Sequence, residues 1–271
     1  MHDRTIAILG AGNIGRAIAR GLADARAFAP ERIALTRRNA QYLDDLKPRG
    51  FRVGSDNRAA VRGSDIVIVA VEPRQIDGVL DEIAAELTPG RHVLISVVTG
   101  VSSAHIAERT GGRVPIVRAM PNTAIAVRQS MTCLAADGEG PALEAAKQIF
   151  DAVGTTVIIE EAQMSAATAL VACGIAFFLR AIRAASQGGI EIGFHSEDAL
   201  AMAAQTARGA ATLLLAKGDH PEHEIDRVTT PRGCTIAGLN QLEHEGFSSA
   251  MIKGITTSAR MAAQLYSHRE S

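Results

Sequence analysis

Residues Thr5 to Gly15, TIAILGAGNIG, limit the fold more than any other segment of the chain. Thr5 to Leu9 is a short apolar run suited to a buried parallel strand. An amphipathic helix follows the glycines and runs to about Ala27. Gly10, Gly12 and Gly15 lie between the two. In that setting the three glycines have separate tasks: a tight turn, room for a pyrophosphate, and close helix–strand packing. Gly10, Ala11, Gly12, Asn13, Ile14 and Gly15 therefore read as a dinucleotide-binding turn. The alternative is a tight strand–helix turn that binds nothing. The second strand, Arg32 to Thr36, indicates which dinucleotide. An acid that would bind the ribose hydroxyls of NAD is expected about twenty residues after the glycines. Thr36, Arg37 and Arg38 stand there instead. A hydroxyl and two guanidinium groups suit a 2′-phosphate, so the expected cofactor is NADPH, with NADH weaker. A solvated basic loop is the competing reading.

The first half keeps alternating strand and helix. Ile66 to Val71 and His92 to Val98 are continuous apolar runs, as strands covered on both faces should be. Shorter strands are expected at Ile116–Ala119, Met131–Ala135 and Thr156–Ile159, with helices near Gln75–Glu86, Ser103–Arg109 and Pro141–Asp151. The pattern predicts an α/β, Rossmann-like, doubly wound domain over 1–160, with extra strands at one sheet edge. Ligands of such sheets sit beyond the carboxyl ends of the strands. That rim carries Ala70, Val71, Glu72 and Pro73, then Val97, Val98, Thr99 and Gly100, then Met120 to Thr123 with Asn122. Any of these could be plain turn chemistry; three at one rim point to a cofactor crevice.

After Glu161 only helical periodicity remains, so 161–271 is expected to be an all-α domain. A long helix from about Ala162 to Ser186 contains an uncharged run, Ser165 to Leu179, closed by Arg180 and Arg183. The run is too short to span a membrane. A helix apolar all round must be buried, and small residues at Ala169, Ala172 and Gly174 allow close approach. The other helices, near Ser196–Lys217, Thr235–Glu245 and Ser248–Leu265, are too few to enclose it. A second copy of the chain is therefore expected, giving at least a homodimer. A compact monomer is the alternative.

Composition excludes several classes. Basic and acidic residues number 28 and 29, so no broad basic face for nucleic acid or an anionic membrane is expected. Aromatics are 3% and Trp is absent, which removes stacking platforms for bases. Cys133, Cys173 and Cys234 are too few and too scattered for a disulfide framework or a zinc site, and suit a reducing compartment. No metal site is expected, and the histidines carry none; His220 and His223 read as members of a polar loop, and His105, His195 and His244 as surface or cap residues. The N-terminus runs directly into the first strand without a signal-peptide pattern, so a cytoplasmic protein is expected.

A second segment narrows the chemistry. In Thr229–Phe247, TTPRGCTIAGLNQLEHEGF, a Pro-Arg-Gly turn opens into a helix with Thr235 in its first turn. The free N–H groups and dipole of a helix start favour an anion, and Gly233 lets backbone approach it. An ordinary capped helix is the bland reading. Together with ILGAGNIG, AVEP, RAMPNTA, the TAL of the long helix and AAQTARGAA, this block resembles the pyrroline-5-carboxylate reductase family, enzymes of the last step of proline synthesis. The resemblance runs almost the whole length of the chain. It implies an N-terminal NADPH domain, with Asn57 joining the cofactor positions named above, and a helical domain interlocked with a partner subunit. It also implies that Gly233, Cys234 and Thr235 hold the substrate carboxylate, with Thr235 the catalytic position and Glu161 and Arg227 further substrate-side positions.

Three departures from the family pattern stand out. Glu72 replaces a lysine, Arg232 replaces the first glycine of the loop, and Val171–Phe177 lacks two hydroxyls and a proline. Losing that proline predicts a straighter helix. The runners-up are another NADP-dependent imine or β-hydroxyacid reductase and a non-catalytic NADP-binding homologue. A lysine expected for hydroxyacid oxidation is missing between Ala162 and Gly189.

Overall fold

The strand-forming runs assemble into one eight-stranded sheet in the computed structural model, which describes residues 3–265. The outermost residues of the two expected domain spans, 1–2 and 266–271, lie outside the described part. In chain order the strands are β1 (Ile6–Leu9), β2 (Ile33–Thr36), β3 (Arg52–Gly54), β4 (Ile66–Val69), β5 (Val93–Ser96), β6 (Ile116–Met120), β7 (Ser130–Ala136) and β8 (Gly154–Ile158). Their order across the sheet is β3-β2-β1-β4-β5-β6-β7-β8, with every pair parallel except β6 and β7. The first six strands form the doubly wound arrangement with its switch point between β1 and β4, and β7 and β8 are the extra edge strands.

Pleating explains the continuous apolar runs. Successive side chains point to opposite faces, so Ile6 and Ile8 join one core with Ile33, Leu35 and Ile149, while Ala7 and Leu9 join another with Val67, Val69 and Leu80. All four residues of β1, β2 and β4 are buried. Helices cover both faces: α1 (Asn13–Asp24), α2 (Asn57–Arg62), α3 (Ile76–Ile83), α4 (Ser103–Thr110) and α5 (Pro141–Asp151). β3 was not expected. It has three residues, Arg-Val-Gly, no apolar run, and lies at the sheet edge, where pairing with Ala34–Thr36 supplies what its composition lacks.

His92 is buried at the start of β5. Its Nδ1 accepts the Thr88 N–H at 2.8 Å, so the proton sits on Nε2, 3.2 Å from the Val61 carbonyl. Burial holds its pKa below the ordinary 6.5. The unfolded chain takes up a proton near 6.5 and the folded chain does not, so stability held above 6.5 is lost as pH falls from there toward the depressed folded value. The melting temperature should therefore drop less between pH 7 and pH 5 (about the range of histidine titration) in His92→Gln than in the parent. Equal slopes in calorimetry would remove His92 from the pH response.

Cα packing divides the described residues into one unit ending at Cys173, which also takes residues 257–265, and a second of Gly174–Thr256. The first unit therefore keeps the start of the long helical stretch: α6 (Met164–Ala167), then a π-helical turn over Thr168–Cys173. Without a proline, the wider i→i+5 turn still interrupts the stretch before it resumes as α7 (Gly174–Glu191). The rest is helical: α8 (Ser196–Lys217), α9 (Pro221–Val228), α10 (Cys234–His244) and α11 (Phe247–Gln264). α9 corrects the polar loop expected around His220 and His223. His220 caps it, Nδ1 accepting the Glu222 N–H at 3.3 Å, with Pro221 at the first position and Glu222 and Glu224 in the first turn.

The second unit leaves much apolar surface in water. Phe178 and Leu179 on α7 are 60% and 59% exposed, and Leu200, Met202 and Leu215 on α8 are exposed as well. By length and composition alone, Glu161–Glu191 and Ser196–Lys217 would pass for membrane spans. The run Ser165–Leu179, judged too short, belongs to a longer helical stretch.

Candidate active site

The glycine turn has the geometry its spacing calls for. Gly10 adopts φ +87°, and a Cβ there would lie 2.4 Å from Val71 Cγ1 and 2.9 Å from the Ala70 carbonyl oxygen. At Gly15 a Cβ would approach Gly10 O and Ile8 Cγ2, each at 3.1 Å, so the helix rests directly on the strand. Gly12 differs, since a Cβ there would meet nothing nearer than 4.0 Å. Its side of the turn is open, α1 starts without a side-chain cap, and no acid stands in its first turn. Those are the features an anion needs at a helix start, and they fit a pyrophosphate.

The open face belongs to a cavity of about 630 Å³ lined by Gly10, Gly12, Thr36, Arg37, Arg38, Asn57, Ala70, Val71 and Glu72. Nine residues expected to bind cofactor thus meet in one crevice across the switch point. Among the others, Asn13 and Ile14 begin α1, Ala11 is fully buried beside them, and Pro73 follows Glu72. Val97, Val98 and Thr99 follow β5, and Asn122 follows β6, outside this cavity. The Thr36 hydroxyl is buried and donates to Asn57 Oδ1 at 2.6 Å; Asn57 Nδ2 donates in turn to Glu82 Oε2 at 2.8 Å. Arg37 lies over the Tyr42 ring, 4.6 Å from its centroid, while Arg38 is exposed.

The crevice also contains Asn39, Tyr42, Ser55, Arg74, Gln75 and Glu82, none of which sequence reasoning picked out. Arg74 matters most. It pairs with Glu72 at 2.6 Å, so the cation missing at position 72 returns two residues later on the same wall. Its signal was legible as a basic residue in the turn after a rim strand. Glu82 had none, because it reaches the crevice from the far end of α3.

In the helical unit, Gly233 starts α10 in extended conformation, with no side-chain cap and no acid in the first turn. A Cβ at Gly233 would stand 2.4 Å from Thr230 Oγ1 and 3.0 Å from the Thr230 carbonyl, which accepts the Gly233 N–H at 2.9 Å. The turn is folded tightly on itself, with the Gly233 N–H spent inside it and no side chain capping the first turn of α10. Arg232 occupies φ +61°, a left-handed conformation that a glycine adopts without strain. Arginine there costs on the order of 1 kcal/mol. Cys234 is exposed, and Thr235 is partly covered. Arg227 on α9 pairs with Glu224 of its own helix at 2.9 Å, and Lys217 shares that carboxylate at 3.0 Å. Glu161 belongs to the sheet unit. Its Oε1 accepts the Ser103 N–H at 2.7 Å and Arg118 Nη1 at 3.1 Å. Burial alone would raise its pKa, but the bonds from Ser103 and Arg118 outweigh it and hold the carboxyl below the usual range. Among the described residues no cluster of three or more His, Cys, Asp or Glu suited to a metal occurs.

A family described as pyrroline-5-carboxylate reductase dimerisation matches residues 161–265. A second, described as NADP oxidoreductase, coenzyme F420-dependent, matches residues 5–100. Pyrroline-5-carboxylate reductase 2 of Dictyostelium discoideum is 46% identical, over 97% of this chain and 93% of that protein. The chain belongs to the pyrroline-5-carboxylate reductase family. Pyrroline-5-carboxylate reductase 1 of the same organism is 53% identical over 100% of this chain, which spans only 51% of that longer protein. The solved structure of a pyrroline-5-carboxylate reductase from Coxiella burnetii superposes with a TM-score of 0.87 at 31% identity, covering 97% of this chain and 98% of that one. The cavity at the switch point lies in the sheet unit and the Pro231–Thr235 loop in the helical unit.

Proposed function

We propose that this chain reduces 1-pyrroline-5-carboxylate to L-proline at the expense of NADPH. The observation that carries this reading is the uncapped start of α10 at Gly233, a ready carboxylate cradle in a chain whose other unit opens an uncapped helix start to a pyrophosphate. NADPH, when bound, supplies the hydride that reduces the C=N carbon. Gly10–Gly15 hold the pyrophosphate, and Arg37 and Arg38 the 2′-phosphate, with Arg37 steadied by Tyr42. The backbone N–H groups of Cys234 and Thr235 hold the substrate carboxylate, Gly233, whose own N–H is bonded to the Thr230 carbonyl, shapes the turn that presents them, and the Thr235 hydroxyl bonds the carboxylate or the imine nitrogen. The imine enters protonated, so the nitrogen already carries its proton and no strong acid is required of the protein. Arg227 stands one helix away as a further substrate-side cation. The functional division we assign is 1–160 for the cofactor and 161–271 for substrate and assembly, although packing alone places the break at Cys173.

Consumption of NADPH with pyrroline-5-carboxylate, alongside chromatographic detection of proline, tests the proposal. NADPH consumption without proline, or no turnover at all, would overturn it. For the cofactor, Arg37→Ala combined with Arg38→Ala should raise KM for NADPH about 10- to 100-fold, as expected for losing charge-assisted bonds, with little change for NADH. An equal loss for both cofactors would remove the 2′-phosphate from this reading.

We also infer a homodimer in the cytoplasm. The exposed apolar faces of α7 and α8 lie within the segment matched by the dimerisation family, and the three cysteines are free.

A further inference from the structure

Two loops continue the carboxyl rim beyond β4, outside the cavity itself, on the side where the reduced ring of the cofactor must lie if the crevice is the dinucleotide site proposed above. One joins β5 to α4 through Val97–Ser102, and the other is Met120–Asn122 after β6. Both lead to a short stretch at the start of the long helix, Glu161–Val171. Ser103, whose N–H is held by Glu161 Oε1, is the first residue of α4 and so ends the first loop. Arg118, held by the same oxygen, is the register partner of Ser96 and stands two residues before Met120. Ser96 accepts the Val98 N–H at 3.3 Å, which fixes the beginning of the first loop. Asn122 Nδ2 reaches the Val171 carbonyl at 3.5 Å, a long and weak contact that completes the tether at the second loop.

We propose that Glu161 is a positioning residue, which clamps the two loops that set the nicotinamide end of the crevice, and not a ligand of the substrate. The Arg118 side chain is only 8% exposed, and a guanidinium so deep requires a paired charge. Glu161 supplies it, and the same Oε1 also binds the first N–H of α4, whose start Ser102 caps through the His105 N–H, so one oxygen joins a strand, a helix start and the stretch leading to the long helix. Two donors already occupy that oxygen. The pair is electrically neutral and offers an anionic carboxylate no attraction. Glu161 is also the first residue matched by the dimerisation family, so the clamp joins the cofactor crevice to the segment expected to carry assembly and substrate.

The test uses the full chain with Glu161→Gln, Glu161→Asp, Arg118→Met and the Glu161→Gln/Arg118→Met double variant. NADPH affinity is read by fluorescence titration without imine, and kcat and both KM values by steady-state assay. Misplacing the loops should lower kcat about 10- to 100-fold in Glu161→Gln and weaken NADPH binding, while KM for the imine stays within about twofold. Glu161→Asp should recover part of the loss. The double variant should be no worse than the poorer single one, because both act through one contact. A raised imine KM with unaltered kcat and NADPH affinity would make Glu161 a substrate ligand and overturn the proposal. A lower melting temperature with parental kinetics and NADPH affinity would overturn it equally. Should Glu161→Gln fail to fold, Glu161→Asp decides by the same readouts. Should the parent not turn over pyrroline-5-carboxylate, the NADPH titration still decides: unchanged affinity in all variants overturns the clamp, whereas failure of the substrate reading leaves that readout untouched.

Discussion

Thr235→Val should lower kcat/KM for pyrroline-5-carboxylate by roughly 10- to 150-fold, or about 1.5–3 kcal/mol, the range for a hydrogen bond to a charged group. Thr235 is in the first turn of α10, next to the uncapped Gly233 start, so its hydroxyl offers a side-chain donor there alongside the backbone N–H groups. NADPH affinity should stay within about twofold, since the dinucleotide groups lie in the other unit. Gly233→Ala is the companion variant. Its Cβ cannot fit 3.0 Å from the Thr230 carbonyl without opening the turn, so the whole cradle is displaced and the loss should equal or exceed that of Thr235→Val. Unsubstituted pyrroline, which lacks the carboxylate, should be a poor substrate for the parent and should lose less in Thr235→Val. Parental kcat/KM in a folded Thr235→Val would reduce Thr235 to a residue of the helix start.

The second large effect concerns assembly. Phe178→Glu with Leu179→Glu should turn the chain into a monomer at micromolar concentration and abolish turnover. These two side chains are 60% and 59% exposed in the single chain. Burying such a side chain is worth about 1.5–3 kcal/mol, and a symmetric pair of subunits contributes each position twice. The substitution removes that gain and adds four charges that a closed interface would have to desolvate. Light scattering and the NADPH assay on one preparation read both consequences. A double variant that remains a dimer with parental activity would place the interface elsewhere. A parent that stays monomeric and binds lipid vesicles would assign the same apolar faces to a membrane.

Local rules carried far in this chain. The apolar runs at Ile6–Leu9 and Ile66–Val69 became fully buried parallel strands, and Pro141–Asp151 and Ser196–Lys217 are helices with the expected ends. Nine expected cofactor positions meet in one cavity because all lie at or just past the carboxyl ends of strands, a position that topology assigns in advance. Sequence reasoning stopped where stability comes from a distant partner. β3 exists because an edge was open to it. α9 was legible from Pro221 and the acids of its first turn, yet its polarity resembled that of a loop. The turn of π-helix at Thr168–Cys173 breaks no local rule that sequence displays.

The amino-acid sequence by itself determined the glycine turn, the alternation that builds the sheet, the basic end of β2 and the loop that opens α10. Each depends on conformational preferences and spacings within a few residues, where φ restrictions and side-chain periodicity act directly. Only the tertiary structure decided that Tyr42 steadies Arg37, that Arg74 returns a cation to the Glu72 wall, and that Glu82 reaches Thr36 through Asn57. It alone decided that Glu161 holds Arg118 and Ser103, groups 43 and 58 residues away. Such contacts form only after the sheet has brought remote segments together. A buried charge then takes whichever opposite charge packing has placed within reach.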